Sequence, residues 1–353
     1  MELTKDNIDV SVVIVNYKTP ELLYKCVQSI IKETKNIKYE IIIVDNDSHD
    51  NSEKFIKEIY ADINWINMGY NSGFARANNA GIKKATGKYI LLLNSDTEIV
   101  DNAIEKTLDK YIELEKNNKI GFLGCKMIDY NNNILFSSNI EFNGLKKIFK
   151  ANPIYIKLNR KKAINESINL LNKKTILHNQ FHQNKWLGAA YLLFNADICK
   201  KYGMFLDEDF FMYGEDKEWC NRLLKQGYVH YFTPEALIYH ANCGSSTTDE
   251  WKHGQITLSE WLFFLKVKGK FYYSLCIISI LLNHFLDSIF YFQQKKFNKI
   301  NENDRQSKNK RKLELQLIKK YFLYILINYS RRLSLSKKKL IYVPEKRGEE
   351  NIK

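Results

Sequence analysis

No two cysteines in this chain are spaced as C-x-x-C, and no cluster of histidines and cysteines occurs at zinc spacing. The six present (Cys26, Cys125, Cys199, Cys220, Cys243 and Cys276) are scattered over 353 residues. That excludes a zinc centre of the usual kind and a disulfide framework, and it fits a reducing compartment. Also lacking is an uninterrupted apolar run of about 20 residues, the length a spanning helix needs. Phe271 to Leu282 is the best stretch, and Asn283, His284 and Asp287 interrupt it before Ile289-Phe290-Tyr291-Phe292. With Lys266, Lys268 and Lys270 before it and Lys295 and Lys296 after it, this region reads as a surface-lying helix. Neither G-x-G-x-x-G nor a Walker glycine loop with its lysine occurs, which removes the ordinary dinucleotide and P-loop readings. The first residues, Met1-Glu2-Leu3-Thr4-Lys5-Asp6, are polar and unlike a signal peptide, so a cytoplasmic location is expected.

What is present is unevenly charged. The formal net charge is +14, yet from Gln293 onward 18 Lys/Arg face 6 Asp/Glu, leaving 36 against 34 in everything before. A near-neutral body thus carries a basic tail, which seeks an anionic surface. A second apolar run, Tyr321 to Tyr329, is flanked by Lys319, Lys320, Arg331 and Arg332. Aromatic-aliphatic runs between basic flanks favour a membrane surface over nucleic acid. A helical appendage packed on the core or on a twin subunit is the other reading.

The body alternates between strand and helix. Val10 to Tyr17, Tyr39 to Val44, Asn64 to Asn67, Tyr89 to Leu93 and Ile120 to Met127 read as strands, with helices opening at Pro20, after Gly73 and at Asp101. That is an α/β half with a parallel sheet. From about residue 136 to 185 the pattern gives way to Asn- and Lys-rich sequence, read as a variable insert. Trp186 to Phe194 restores a strand, with Gly188 near its start, and Val229 to Phe232 and Leu237 to Tyr239 follow.

In open α/β sheets the ligand crevice lies beyond the carboxyl ends of the strands. Tyr89-Ile-Leu-Leu-Leu93 ends there on Asn94-Ser95-Asp96. Oxygen ligands at i and i+2 of an extended segment point the same way, which suits a hard divalent cation shared with substrate phosphates. An ordinary Asx turn accounts for the same residues. Gly73 allows close backbone approach, and Arg76 can reach a pyrophosphate or base. Glu215-Asp216 opens a helix, where the macrodipole alone partly explains two carboxylates. The aromatic wall before them, Phe210 to Tyr213, also suits a sugar. His240 arrives at a strand end beside Gly244-Ser245-Ser246, a place for a metal or phosphate contact.

Taken in order, these segments resemble the inverting nucleotide-sugar glycosyltransferases of family two, in their rhamnosyltransferase-like branch. Val12 to Tyr17 with Thr19-Pro20-Glu21-Leu22-Leu23 is similar to the family's opening strand and helix. Val44-Asp45-Asn46-Asp47-Ser48 resembles its second strand end, and Gly73-Phe74-Ala75 with Asn78-Asn79-x-Gly81 its donor-binding helix. Asn94-Ser95-Asp96 stands where the family carries its D-x-D metal motif, and Phe210 to Asp216 where it carries its catalytic carboxylates. The resemblance covers roughly Val10 to Ser246. It departs from the family at Asn94, which replaces the first Asp, and in lacking the Q-x-x-R-W of processive synthases, which favours transfer of a single sugar.

The resemblance implies a GT-A nucleotide-diphospho-sugar transferase fold, a Rossmann-like mixed sheet over residues 1–255, with a helical, membrane-associating extension over 256–353. It implies one sugar moved from a nucleoside diphosphate sugar, UDP or dTDP, to a hydroxyl of a lipid-linked glycan in surface polysaccharide synthesis. Asp216 is then the base and Glu215 its neighbour orienting the acceptor or the loop. Asn16, Tyr17, Asp45, Gly73, Arg76, Asn78, Asn94 and Ser95 hold the donor. Trp186, Gly188 and Tyr213 meet the acceptor, and Asp96 with His240 holds Mg²⁺ or Mn²⁺. The enzyme is expected at the inner face of the cell membrane, peripheral through its extension, without nucleic acid and open to homo-oligomerisation. The competing reading is a non-catalytic scaffold that binds nucleotide sugar or glycan. A nucleotidyltransferase would need a lysine-rich glycine loop near the start, and Asn16-Tyr17-Lys18 is not one.

Overall fold

The computed structural model describes residues 8–139, 144–150, 152–241, 249–296 and 302–330. Cys243, the Gly244-Ser245-Ser246 loop and the chain beyond Ser330 lie outside the described residues. The elements are, in order, β1 (Val10–Asn16), α1 (Pro20–Glu33), β2 (Tyr39–Asp45), α2 (Ser52–Ile59), β3 (Asn64–Asn67), α3 (Phe74–Lys84), β4 (Tyr89–Asn94), β5 (Thr97–Ile99), α4 (Ala103–Glu115) and β6 (Ile120–Ile128). Then come β7 (Ile134–Leu135), β8 (Ser138–Asn139), α5 (Leu145–Lys150), α6 (Pro153–Leu158), α7 (Arg160–Leu177), β9 (His182–Asn184), β10 (Trp186–Leu187), β11 (Tyr191–Asn195), α8 (Asp197–Lys200), α9 (Glu215–Lys225), β12 (Val229–His240), α10 (Asp249–Lys296) and α11 (Glu302–Ser330).

Two compact units result. One holds residues 1–142, 170–208 and 215–246, the other residues 143–169, 209–214 and 247–353. The division expected at residue 255 falls inside α10, and half of the insert groups with the C-terminal helices.

The first unit is a mixed sheet in the order β3-β2-β1-β4-β11-β6-β12-β5. Its centre is parallel: β1 lies between β2 and β4, with Val10 opposite Tyr39 on one side and Tyr89 on the other. These strands are Val/Ile/Leu runs because both faces are covered, by two separate hydrophobic clusters. On one face α3 comes so close that a Cβ at Gly81 would collide with Val13. The chain leaves β1 for β2 and β3 on one side, then returns to β4 on the other. That reversal opens a crevice at the carboxyl ends of β1, β2 and β4.

Two strand expectations are revised. Trp186 to Phe194 is broken by Gly188 to Ala190 into β10, which pairs with β8, and β11, which runs antiparallel to β4. Conversely, Val229 to His240 is one strand, whose register shifts between Thr233 and Leu237. Pro234, with no N–H to give a ladder, sits in that irregularity. The far end of β12 then pairs antiparallel with β5 and sets His240 opposite Thr97.

The second unit is helical. The part of the insert that falls in it, residues 143–169, expected to lack periodic structure, contains α5, α6 and the start of α7. Gly269 (φ 86°) breaks α10 into two arms. His253 lies on the first arm and His284 on the second, yet their Nε2 atoms come to 3.6 and 2.8 Å from the two carboxylate oxygens of Glu314 on α11. A straight helix would hold the two histidines roughly 46 Å apart, so the arms fold back on each other. Glu250–Ile289 is long and apolar enough to cross a membrane by length and composition, but the break divides it. Leu258 and Trp261 to Leu265 on the first arm are buried. Tyr273 on the second arm stacks on Phe322 of α11, ring centres 5.6 Å apart.

Candidate active site

The crevice is built from strand ends. β2 ends on Asp45, and both of its carboxylate oxygens are engaged. Asn16, at the end of β1, donates its amide to Oδ1 (2.9 Å), the Ser48 hydroxyl donates to the same oxygen (2.6 Å), and the Ser48 N–H donates to Oδ2 (3.0 Å). The Asn16 amide also reaches Ser48 Oγ at 3.1 Å, and the Lys18 N–H reaches it at 3.0 Å. A carboxylate has about four lone-pair sites, so Asp45 keeps room for one further donor such as a base N–H. Asn16 is itself buried and holds Asp45 in place; Tyr17 follows it, half-buried.

The next residue, Asn46, shapes the neighbouring loop. Its carbonyl accepts from the Ser72 N–H (2.8 Å) and hydroxyl (2.7 Å), and its amide donates to Asn71 (3.0 Å). This fixes the entry to Gly73, whose φ of 84° starts α3 and which a residue with a Cβ would adopt only under strain. On α3, Arg76 Nε lies 3.7 Å from Glu208. Asn78 is buried and donates to Phe74 O within its own helix (2.9 Å), whereas Asn79 clamps Leu206 and Glu208.

At the end of β4 the Ser95 hydroxyl is 3.0 Å from that of Thr19, fastening the turn to the start of α1. Asp96 follows, buried, and His240 Nε2 lies 3.1 Å from its Oδ1. The β5–β12 pairing brings the two together. Among the described residues no three His, Cys, Asp or Glu side chains converge as a metal cluster. His240 and Asp96, 3.1 Å apart, are an imidazole–carboxylate donor pair that would suit a divalent cation sharing its shell with substrate phosphate and water. Beneath the turn, burial pushes the Cys26 thiol up to about 12, only partly offset by its contact with Thr97, so it stays protonated.

The carboxylate pair opens α9. That helix is anchored by Trp219, which donates to Met204 O (2.6 Å) and packs 4.5 Å from the Phe122 ring. His230 supports it from β12, with Nε2–H on Cys220 O (2.9 Å) and Nδ1 accepting from the Phe122 N–H (3.1 Å). Glu215 is buried, while Asp216 keeps some exposure. Burial of its carboxyl group raises the Asp216 pKa above the usual 3.8, against the lowering pull of the Lys217 N–H, the Trp186 indole and the Ala189 N–H. The Lys217 bond is 2.7 Å and the Ala189 bond 3.4 Å. Trp186 Nε1 is buried and reaches full hydrogen-bond geometry with no partner. Gly188 brings backbone close by: a Cβ there would stand 3.9 Å from Asp216 Oδ2. Tyr213 belongs to the other unit and has φ 67°, followed by Gly214 at 84°. There Met212 O accepts from Ser259 (2.8 Å), and Asp209 pairs with Lys266 at 2.6 Å.

The two halves of the site meet at the start of β11. Ala190 O accepts from the Asn94 N–H at 3.0 Å, and the adjacent Ala189 N–H points to Asp216. Ser48, Asn46 and Glu208 were not singled out from sequence. The Asp-x-x-Ser spacing of Asp45 and Ser48, typical of a side chain closing its own turn, was the available signal for the first.

Residues 11–170 match glycosyl transferase family 2. The chain is 35% identical to glycosyltransferase GlyG of Streptococcus pneumoniae serotype 4 over 116 residues, 32% of this chain and 38% of GlyG. It is 26% identical to the poly(ribitol-phosphate) beta-N-acetylglucosaminyltransferase TarP of Staphylococcus aureus, over 70% of this chain and 80% of TarP. To the dTDP-rhamnosyl transferase RfbF of Shigella flexneri it is 27% identical, over 67% of this chain and 70% of RfbF. The matches to the first three curated relatives span 38%, 20% and 50% of their lengths.

Proposed function

We propose that this chain is an inverting glycosyltransferase that moves one sugar from a nucleoside diphosphate sugar to a hydroxyl of a lipid-linked glycan in cell-envelope polysaccharide synthesis. The observation that carries this reading is the start of β11, where consecutive residues bond to Asn94 beside Asp96 and to the raised-pKa carboxyl of Asp216. A leaving-group site and a base thereby share one edge. The name of RfbF, a dTDP-rhamnosyl transferase, supports a nucleoside diphosphate sugar donor, dTDP or UDP linked.

In this reading Asp45, backed by Asn16 and Ser48, receives the base, and Arg76 and the backbone at Gly73 hold the donor. Asp96 and His240 hold a divalent cation, which when bound neutralises the diphosphate. The acceptor hydroxyl, placed against Trp186 and Gly188, gives its proton to Asp216 as its oxygen bonds to the anomeric carbon. The bond from that carbon to the diphosphate oxygen breaks on the opposite face, and the leaving group keeps the electron pair. Glu215 orients the acceptor side. No covalent intermediate is required, and the buried Cys26 thiol supplies no nucleophile. The enzyme works at the inner face of the cell membrane, to which its basic extension binds.

The test is a panel of nucleotide sugars assayed with Mn²⁺, with Mg²⁺ and with chelator, with donor binding measured alongside. Release of nucleoside diphosphate from one donor, lost with chelator, supports the reading. Failure to bind any donor would overturn it.

A further inference from the structure

We infer that the insert and the second arm of α10 form a single docking element for anionic lipid, with one stripe of that arm laid into the bilayer interface. This rests on the membrane location proposed above and assigns the face. Helical periodicity gives the arm three faces. Tyr273, Cys276, Ile277 and His284 are buried and lie toward α11. Tyr272 and Asn283 hold the insert: the Leu145 N–H donates to the Tyr272 hydroxyl (2.8 Å), and the Asn283 amide bonds to Ile148 O (3.0 Å) and to Asn152 (2.8 Å). Asn283, which breaks the apolar run in the sequence, thus fastens the insert.

The third face carries Phe271, Ile278, Leu282, Phe285 and Ile289, all exposed, Phe271 at 79% and Phe285 at 64%. It runs roughly 27 Å along the helix. The insert adds Phe149 and Leu158, the latter 78% exposed. Sixteen of the twenty-six exposed large hydrophobics among the described residues fall in this smaller unit, a concentration that marks an interaction surface.

Two observations choose the occupant. Lys268 and Lys270 at the head of the arm, Lys312, Lys319 and Lys320 on α11 and Lys161 and Lys162 on α7 are exposed, in a chain whose last stretch holds 18 basic against 6 acidic residues. Anionic headgroups complement that charge, whereas a second copy would oppose it. The other two faces are covered by protein and carry His284 and Asp287, paired with Glu314 and Arg311. The arm therefore lies in the interface rather than crossing the bilayer.

The test is sedimentation of the full chain with vesicles of phosphatidylcholine alone or mixed equally with phosphatidylglycerol. We expect binding to the mixed vesicles only. F271S/F285S, which alters only exposed side chains, should weaken it at least ~10-fold, and L158S should weaken it less, while both keep the wild-type nucleotide-sugar affinity. Undiminished binding by F271S/F285S would overturn the assignment of the face while leaving membrane location intact. No binding by the wild type would remove the location as well. A wild-type dimer that F271S/F285S dissociates would give the stripe to a second copy and overturn the proposal.

Discussion

His240 Nε2 lies 3.1 Å from Asp96 Oδ1, although one residue ends β12 and the other follows β4. Their meeting depends on the antiparallel pairing of β12 with the short β5, His240 opposite Thr97. Donor affinity measured with Mn²⁺ should therefore fall at least ~10-fold in D96A and by a smaller factor in H240A, with little change for either variant in chelator. Equal losses with and without the metal would mean that the pair serves the fold alone.

The Asp45 network is expected to be both structural and functional. Ser48 Oγ donates one bond to Asp45 and accepts from Asn16 and from the Lys18 N–H. Ser48→Ala should cost on the order of 1–2 kcal/mol in denaturant unfolding and weaken nucleotide binding. Unchanged nucleotide affinity would separate Asp45 from the donor site.

Much of this was readable from residues alone. The strands around Asn16, Asp45 and Asn94 are continuous apolar runs with both faces buried, so their ends, and hence the crevice, are visible in the sequence. The approach of His240 to Asp96 was not, because a three-residue edge strand leaves no periodic trace. Nor was the joining of the insert to the C-terminal helices. Periodicity reports that a helix has an apolar face, not which helix covers it. The bonds of Asn283 to Asn152 and Ile148 span the chain and leave no local pattern.

In the helical unit, burial pushes the Glu314 carboxyl up, but His253 and His284 outweigh it and hold the pKa at about 2 against an ordinary 4.5. A depressed folded-state pKa contributes stability that is present above 4.5 and is lost as pH falls toward 2. Glu314→Gln should lower stability near neutrality by on the order of 3 kcal/mol. The gap from wild type should close across that acid window in urea titrations at stepped pH.

The raised pKa of Asp216 predicts a pH dependence. A base must be ionised, so kcat/KM should fall on the acid side with a midpoint above 3.8. Burial raises the pKa and the Trp186 indole opposes it. Trp186→Phe should therefore move the acid limb to higher pH and leave the plateau rate within a few-fold. A limb that does not move would place Trp186 outside the electrostatics of the base.

The most direct measurement compares donor binding with turnover in Asp216→Asn. Asparagine keeps the shape of the side chain but cannot take the proton of the acceptor hydroxyl. Nucleotide-sugar affinity should stay within about twofold of wild type while transfer to the acceptor falls at least ~100-fold. Transfer at the wild-type rate would contradict the account and remove Asp216 as the base.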